Sequence, residues 1–333
     1  MKICIVGAGA IGGFIGTKLS LMVTHEVNAF ARGVTLDALR KHGWRMTTPD
    51  GKLLQAPLMA ASDKASDLGV QDLVIIAVKA QSLADVASQI APLMGAHTLV
   101  MPAMNGVPWW FCDDVPAFNG SAQLESLDRT GVIAKSIPKH RVIGCVVHAS
   151  TSTQAAGWVK HHGGQKLIVG EPQGEITGAP SKRVADVVQL LQDAGFDVEH
   201  SKNIRYDIWY KLWGNMTMNP VSAMTGATID KVLGDPLVRD FCSRVMLEAQ
   251  TIGTAIGCKI EQTPENRHAV TEKLGAFKTS MLQDVEAGRM IELDAIVGAV
   301  YEIGERLKLP TTNISALLGL ARLYGQMHKV YPT

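Results

Sequence analysis

Lys2-Ile3-Cys4-Ile5-Val6-Gly7-Ala8-Gly9-Ala10-Ile11-Gly12 stands directly after the first methionine of the chain. The short apolar run from Lys2 to Val6 ends at glycine, which predicts a central parallel strand buried on both faces. Small and apolar residues from about Ala10 to Met22 then predict a helix, and Glu26-Val27-Asn28-Ala29-Phe30-Ala31 a second strand. A G-x-G-x-x-G turn between a strand and a helix, inside one βαβ unit, is the context in which that spacing means dinucleotide binding. Gly7 makes the tight turn, Gly9 lets the backbone approach a pyrophosphate, and Gly12 permits close helix-on-strand packing, with the helix N-terminus toward the phosphates. Ala8, Ala10 and Ile11 complete the loop. A turn that is merely glycine-rich accounts for one of these glycines but not for three at this spacing.

Working outward, Trp44-Arg45-Met46-Thr47, the turn Pro49-Asp50-Gly51 and the run after Lys52 predict a hairpin that decorates the sheet. Leu73-Val74-Ile75-Ile76-Ala77-Val78 predicts another buried strand, Leu83 to Met94 a helix, and Thr98 to Met101 a strand. Further strands are expected between Val142 and Val169, and a helix over Ser181 to Ala194. From Ile204 to the end the pattern is helical almost throughout. The fold class is therefore α/β, with an N-terminal Rossmann-type dinucleotide-binding domain over 1–202 and an all-α C-terminal domain over 203–333. No Gly/Ser linker, low-complexity tract or repeat separates the two, so they are expected to pack firmly with the active site between them.

A length of 333 residues suits two domains, and 47% hydrophobic with 19% charged residues is globular usage. The formal net charge is +1 and no basic stripe with interleaved aromatics occurs, which argues against a nucleic-acid partner. Five widely spaced cysteines in no C-x-x-C pair suggest neither a disulfide framework nor a zinc site, and fit a reducing cytoplasm. His161 and His162 are adjacent on an expected strand and point to opposite faces, so no metal site is expected. The N-terminal stretch loosely mimics a signal peptide, but five glycines and Lys18 interrupt it, and no apolar run of membrane-spanning length follows. The helical domain could support a homodimer, although no long heptad pattern demands one.

The residue after the second strand discriminates between cofactors. An NAD enzyme usually carries an acid there for the ribose hydroxyls, whereas this chain has Ala31 and then Arg32. Arg32 suits a 2′-phosphate, which points to NADP(H); a solvated surface arginine is the plainer reading. Lys79, at the carboxyl end of the Leu73–Val78 strand, lies where open α/β sheets bind ligands, and alone it would be an ordinary surface lysine.

The segment from Ile204 to Asn219 carries Ile208, Trp209, Leu212, Trp213, Met216 and Met218, which predicts a largely buried helix. Lys211, Asn215 and Asn219 recur on it at i, i+4 and i+8, a polar stripe on one face of an apolar element. Desolvation brings such a lysine nearer the operating pH, where it can protonate an alkoxide as hydride arrives, so the stripe describes a carbonyl reductase. The asparagines offer donors and acceptors for a hydroxyl or carboxylate. Asn219 could instead cap the helix or fill a kink before Pro220, and Lys211 could pair with Asp207.

With Gly7 to Gly12, Val78-Lys79, Asn105-Gly106, Lys211-Leu212-Trp213-Gly214-Asn215, Asn219-Pro220, Ser280-Met281-Leu282-Gln283-Asp284 and Glu292-Leu293-Asp294, the chain resembles the ketopantoate reductases (2-dehydropantoate 2-reductases). The likeness runs over nearly its whole length. It implies NADPH-dependent reduction of ketopantoate to pantoate, on the route to pantothenate and coenzyme A. It further implies that Lys211 is the general acid and that Glu292 positions substrate and lysine. Asn105 would sit between nicotinamide and substrate, Asn215, Asn219 and Ser280 would hold the substrate's hydroxyl and carboxylate, and Arg32 and Lys79 would favour NADPH. Read without the family, Ser280 and Glu292 are plain helix-terminal residues.

The chain departs from the family after Asn105, where Val107-Pro108-Trp109-Trp110-Phe111 opens a longer segment than the shortest members have. These aromatics could reshape the substrate pocket or serve in core or interface packing. The activity alternatives are reduction of another branched or aromatic 2-oxo acid, and a dinucleotide sensor without turnover.

Overall fold

Apolar strands buried on both faces need helices on both sides, and the N-terminal half of the chain alternates accordingly. The computed structural model describes residues 1–118, 122–175 and 178–332. Its elements begin β1 (Lys2–Val6), α1 (Ala10–Leu21), β2 (Glu26–Phe30), α2 (Gly33–His42), β3 (Trp44–Thr47), β4 (Leu53–Ala56), β5 (Ala61–Ser62), β6 (Gln71–Ile76), α3 (Leu83–Gln89) and β7 (Met94–Pro102). Then come α4 (Glu125–Asp128), α5 (Val132–Ser136), β8 (Gly144–Ala155), β9 (Trp158–Gly170), α6 (Lys182–Asp193) and β10 (Asp197–His200). The rest is helical: α7 (Ile204–Thr225), α8 (Ile229–Gly234), α9 (Pro236–Ala255), α10 (Pro264–Glu272), α11 (Ser280–Glu286), α12 (Ala299–Arg306) and α13 (Thr312–Met327). A parallel-sheet α/β part is thus followed by a helical part, which is the fold class expected from sequence.

The chain forms two compact units, Met1–Met104 with Thr130–Asp207, and Asn105–Arg129 with Ile208–Thr333. This differs from a division at 202/203, because residues 105–129 group with the helices. The reasons are specific. The Phe111 ring stacks on Trp209 at 5.8 Å, the Val107 N–H donates to the Ala295 carbonyl at 2.8 Å, and Glu302 accepts the N–H groups of Glu125 and Ser126.

In the first unit a five-stranded parallel sheet runs β5-β2-β1-β6-β7, so the strand order reverses at β1, the switch point at which such sheets bind ligands. The hairpin β3–β4 does not decorate this sheet. It joins a second sheet of order β10-β9-β3-β4, with β8 pairing β9, and helix α1 contacts β3, β4, β8 and β9 of it as well as β1 and β2. The glycines of α1 explain the difference. A Cβ on Gly13 would lie 2.5 Å from Val159, and one on Gly16 would lie 2.7 Å from the Trp44 ring. Without side chains there, α1 is buried between the sheets, and Trp44 and Met46 find their core against it.

In the second unit α7 is the central apolar element. Trp209, Leu212, Trp213 and Met216 are buried, and the Trp213 indole donates to the Met246 carbonyl at 2.8 Å, giving its one polar group a partner inside the core. Phe111, fully buried, contributes about 1.5–3 kcal/mol by its removal from water. Trp109 and Trp110 are buried too, so of the two roles open to the aromatic segment the structure shows core packing. Among the described residues no helix is long and apolar enough to cross a membrane.

Candidate active site

The first unit gathers the expected dinucleotide residues at one edge of its parallel sheet. Val6 is in register with Phe30 on one side and Ile76 on the other, so the turns after β1, β2 and β6 leave the sheet together. The Gly7 N–H donates to the Phe30 carbonyl at 3.0 Å and the Ala77 N–H to the Val6 carbonyl at 2.8 Å, pinning those turns. Gly7 adopts φ +90, where a side chain is strained, and a Cβ there would also strike Val78 at 2.5 Å. A Cβ on Gly12 would come within 1.9 Å of the Gly7 carbonyl, whereas one on Gly9 meets nothing within 4 Å. The three glycines therefore divide the work: two close the turn, and the third faces open space.

That open space lies at the N-terminus of α1, whose N-cap Gly9 has no capping side chain and whose first turn has no acid. Free N–H groups, the positive end of the helix dipole and room for close approach fit a pyrophosphate. Arg32 follows β2 directly, is exposed as the N-cap of α2, and makes no ion pair among the described residues. Lys79, half-buried, stands just beyond β6 at the start of the turn Ala80–Ser82. Both cations share the carboxyl edge with the glycine turn. No acid occupies the end of β2.

The second unit assembles another group around α7. Lys211 and Asn215 are half-buried and Asn219 is 5% exposed, on a helix whose other residues are mostly buried. At 1.5 Å per residue, the three span about 12 Å of its axis. The Lys211 ammonium donates to Asn105 Oδ1 at 2.8 Å. Asp207 accepts from the Ser201 hydroxyl instead of pairing with Lys211. Burial raises its pKa above the usual carboxylate value, and the Ser201 bond opposes that shift only in part. The Asn219 Nδ2 is buried with no partner among the described residues, the kind of donor that calls for a ligand or a water. It is not a cap, because α7 continues through Pro220 to Thr225.

Asn105 is held from the other side. Gly106, at φ +85, presses against the turn that begins at Asp294: a Cβ there would be 2.5 Å from the Ala295 carbonyl, which also accepts the Val107 N–H at 2.8 Å. Glu292, 8% exposed, stands three residues before Ala295, and its carbonyl accepts the Ile296 N–H at 3.2 Å. The structure thus joins Lys211 to Asn105, and the Asn105 loop to the turn that follows Glu292. Ser280 is exposed in the first turn of α11, where its neighbour Thr279 is the N-cap; no hydrogen bond ties Ser280 to the Lys211 group among the described residues. Among those residues no cluster of three or more His, Cys, Asp or Glu side chains could hold a metal.

Two residues escaped the sequence reading. Glu302 caps α4 through the Glu125 and Ser126 N–H groups, both at 2.8 Å, and Tyr331 donates its hydroxyl to Asp294 at 2.6 Å. Both contacts join residues far apart in the chain, and neither carries a local pattern.

Comparison with known proteins bears on this geometry. Residues 3–174 match the family described as "Ketopantoate reductase PanE/ApbA", and residues 203–325 its C-terminal domain, "Ketopantoate reductase PanE/ApbA C terminal". A 2-dehydropantoate 2-reductase of Mesorhizobium japonicum is 41% identical over 322 residues, covering 97% of each chain. The crystal structure of a ketopantoate reductase candidate from Ralstonia solanacearum MolK2 is 51% identical, with TM-score 0.93 over 99% of each chain. A D-mandelate dehydrogenase in ternary complex with NADH and anilino(oxo)acetate, 21% identical with TM-score 0.82 over 99% of this chain and 100% of its own, shares the fold.

Proposed function

The chain belongs to the ketopantoate reductase family, and from that premise we propose that it reduces 2-dehydropantoate to pantoate with NADPH, Lys211 acting as general acid. The observation that most supports this reading is the 2.8 Å hydrogen bond from Lys211 to Asn105, which aims an ammonium on a largely buried helix. NADPH, when bound, supplies the hydride to the 2-oxo carbon. Gly7 to Gly12 would hold its pyrophosphate, and Arg32 with Lys79 its 2′-phosphate. As negative charge grows on the carbonyl oxygen, Lys211 stabilises it and delivers a proton from Nζ. Asn105, already the acceptor of the Lys211 bond, orients the ammonium, and Glu292 positions substrate and lysine.

Substrate choice follows from the polar stripe. The unpartnered Asn219 amide, with Asn215 and Ser280, would pair the substrate's hydroxyl and carboxylate. A site that pairs a hydroxyl rejects an analogue lacking it, because its own donors are then left dry and unmet. The aromatic segment lends no support to an aromatic substrate, since Trp109, Trp110 and Phe111 are buried in the core. The test is a spectrophotometric assay of NADPH oxidation with ketopantoate beside 2-oxoisovalerate, pyruvate and phenylpyruvate. Ketopantoate should exceed the others in kcat/KM by a wide margin. A preference for 2-oxoisovalerate or phenylpyruvate overturns the substrate, and NADPH binding without oxidation of any of them makes the protein a sensor.

A further inference from the structure

The turn after Glu292 is also tied to residues 330 and 331. The Ile291 N–H donates to the Val330 carbonyl at 2.9 Å, and the Tyr331 hydroxyl donates to Asp294 Oδ1 at 2.6 Å. These two bonds bracket Glu292. The tail that provides them is itself fixed. Val330 is 1% exposed, the Val330 and Tyr331 N–H groups both donate to the Gly325 carbonyl, and a Cβ on Gly325 would collide with the Tyr331 side chain at 2.6 Å. Lys329 adopts the left-handed conformation, φ +58, that folds the tail back onto α13.

Asp294 opens a single π-helical turn, Asp294–Gly298, in front of α12. Such turns are rare overall and frequent at functional sites. This one supplies the Ala295 carbonyl that receives the Val107 N–H and against which Gly106 is pressed. The connection therefore runs from the Tyr331 hydroxyl to Asp294, through the π-turn to the Asn105 loop, and so to Lys211 Nζ.

We infer that Tyr331 is a positioning residue: its hydroxyl, held on Asp294, fixes the turn that follows Glu292 and anchors the Asn105 loop, thereby setting the Lys211–Asn105 contact. Burial and the neighbouring Asp294 push the Tyr331 hydroxyl well above its ordinary pKa, so it stays a neutral donor throughout the working range. Burial likewise holds Asp294 above the ordinary carboxylate range, only partly opposed by the Tyr331 hydrogen bond and by Arg322 on α13. The kinetic consequence rests on the reductase reading, whereas the structural link does not.

Tyr331→Phe in the full-length protein removes the hydroxyl and keeps the ring. Amide hydrogen exchange should then quicken in peptides covering 105–107 and 291–298 and stay unchanged in α9. With ketopantoate, kcat should fall about tenfold while the Kd for NADPH holds, and the same change made on top of Glu292→Gln should cost little more. Unchanged exchange at 105–107 overturns the inference whatever the substrate proves to be. So does exchange that quickens uniformly, or a loss of rate equal in both backgrounds, since either marks a purely structural tyrosine. If the unaltered protein reduces none of the 2-oxo acids, the reductase reading fails, and the exchange result alone decides the role of Tyr331.

Discussion

Lys211 shows how one side chain takes its task from its surroundings. Its backbone lies on a helix whose neighbours Leu212, Trp213 and Met216 are buried, and its ammonium is directed by Asn105. On the proposed mechanism Lys211→Ala removes both charge and proton, so kcat should fall about 10²–10⁴-fold, the usual contribution of a general acid. NADPH binding, attributed to the other unit, should change little in a fluorescence titration. A loss of binding as large as the loss of rate would make the lysine structural. Arg32, the residue proposed for the cofactor's 2′-phosphate, is exposed and makes no ion pair among the described residues. Arg32→Ala should weaken NADPH and leave NADH unaltered, a comparison made directly by measuring KM for each. Equal use of both cofactors by the unaltered protein would remove the assignment.

At the scale of elements, a short helix is held in place by a side chain of a longer one. Helix α4 has only four residues and no side-chain cap of its own; Glu302 on α12 supplies one from a distant part of the chain. Burial tends to raise the Glu302 pKa, but hydrogen bonds from the Ser126 and Glu125 N–H groups, with the nearby Arg306, outweigh it and hold the carboxyl below the usual value. A pKa lowered on folding contributes stability that is complete above the unfolded value and is lost as pH falls through the folded one. Glu302→Gln should therefore cost about 1.5–3 kcal/mol at neutral pH by denaturant unfolding, the worth of hydrogen bonds to a charged group. That gap should narrow as pH falls through the ordinary carboxylate range and close only once the native carboxyl, held below that range, is protonated as well. A gap independent of pH would show that the charge is not what matters.

For the molecule as a whole, the informative feature is the passage of residues 105–129 out of the first unit and into the second. Those residues bring Phe111 onto Trp209, and carry Asn105 to Lys211. A fragment of residues 203–333 alone would leave the Phe111 side of Trp209 uncovered. Adding a peptide of residues 105–129 should raise its melting temperature and sharpen its transition, since burying Phe111 alone is worth about 1.5–3 kcal/mol. A fragment equally stable with and without the peptide would show that the segment is an accessory rather than part of that core.

By itself the sequence determined what depends on neighbours in the chain: the glycine turn between β1 and α1, the absence of an acid before Arg32, the apolar strands, and the i, i+4, i+8 stripe from Lys211 to Asn219. Local periodicity and backbone sterics are short-ranged, so they can be read in a window of a dozen residues. Tertiary structure decided what depends on residues far apart. The hairpin β3–β4 entered the second sheet because Gly13 and Gly16 let that sheet close on α1. Phe111 became core because Trp209 lay opposite it. Asn105 gained its place from Gly106 meeting Ala295, and Asp294 from Tyr331, contacts in which neither partner bears a local mark of the other. Such pairings are selected by packing and by the need of buried polar groups for partners, and those conditions exist only once the chain has folded.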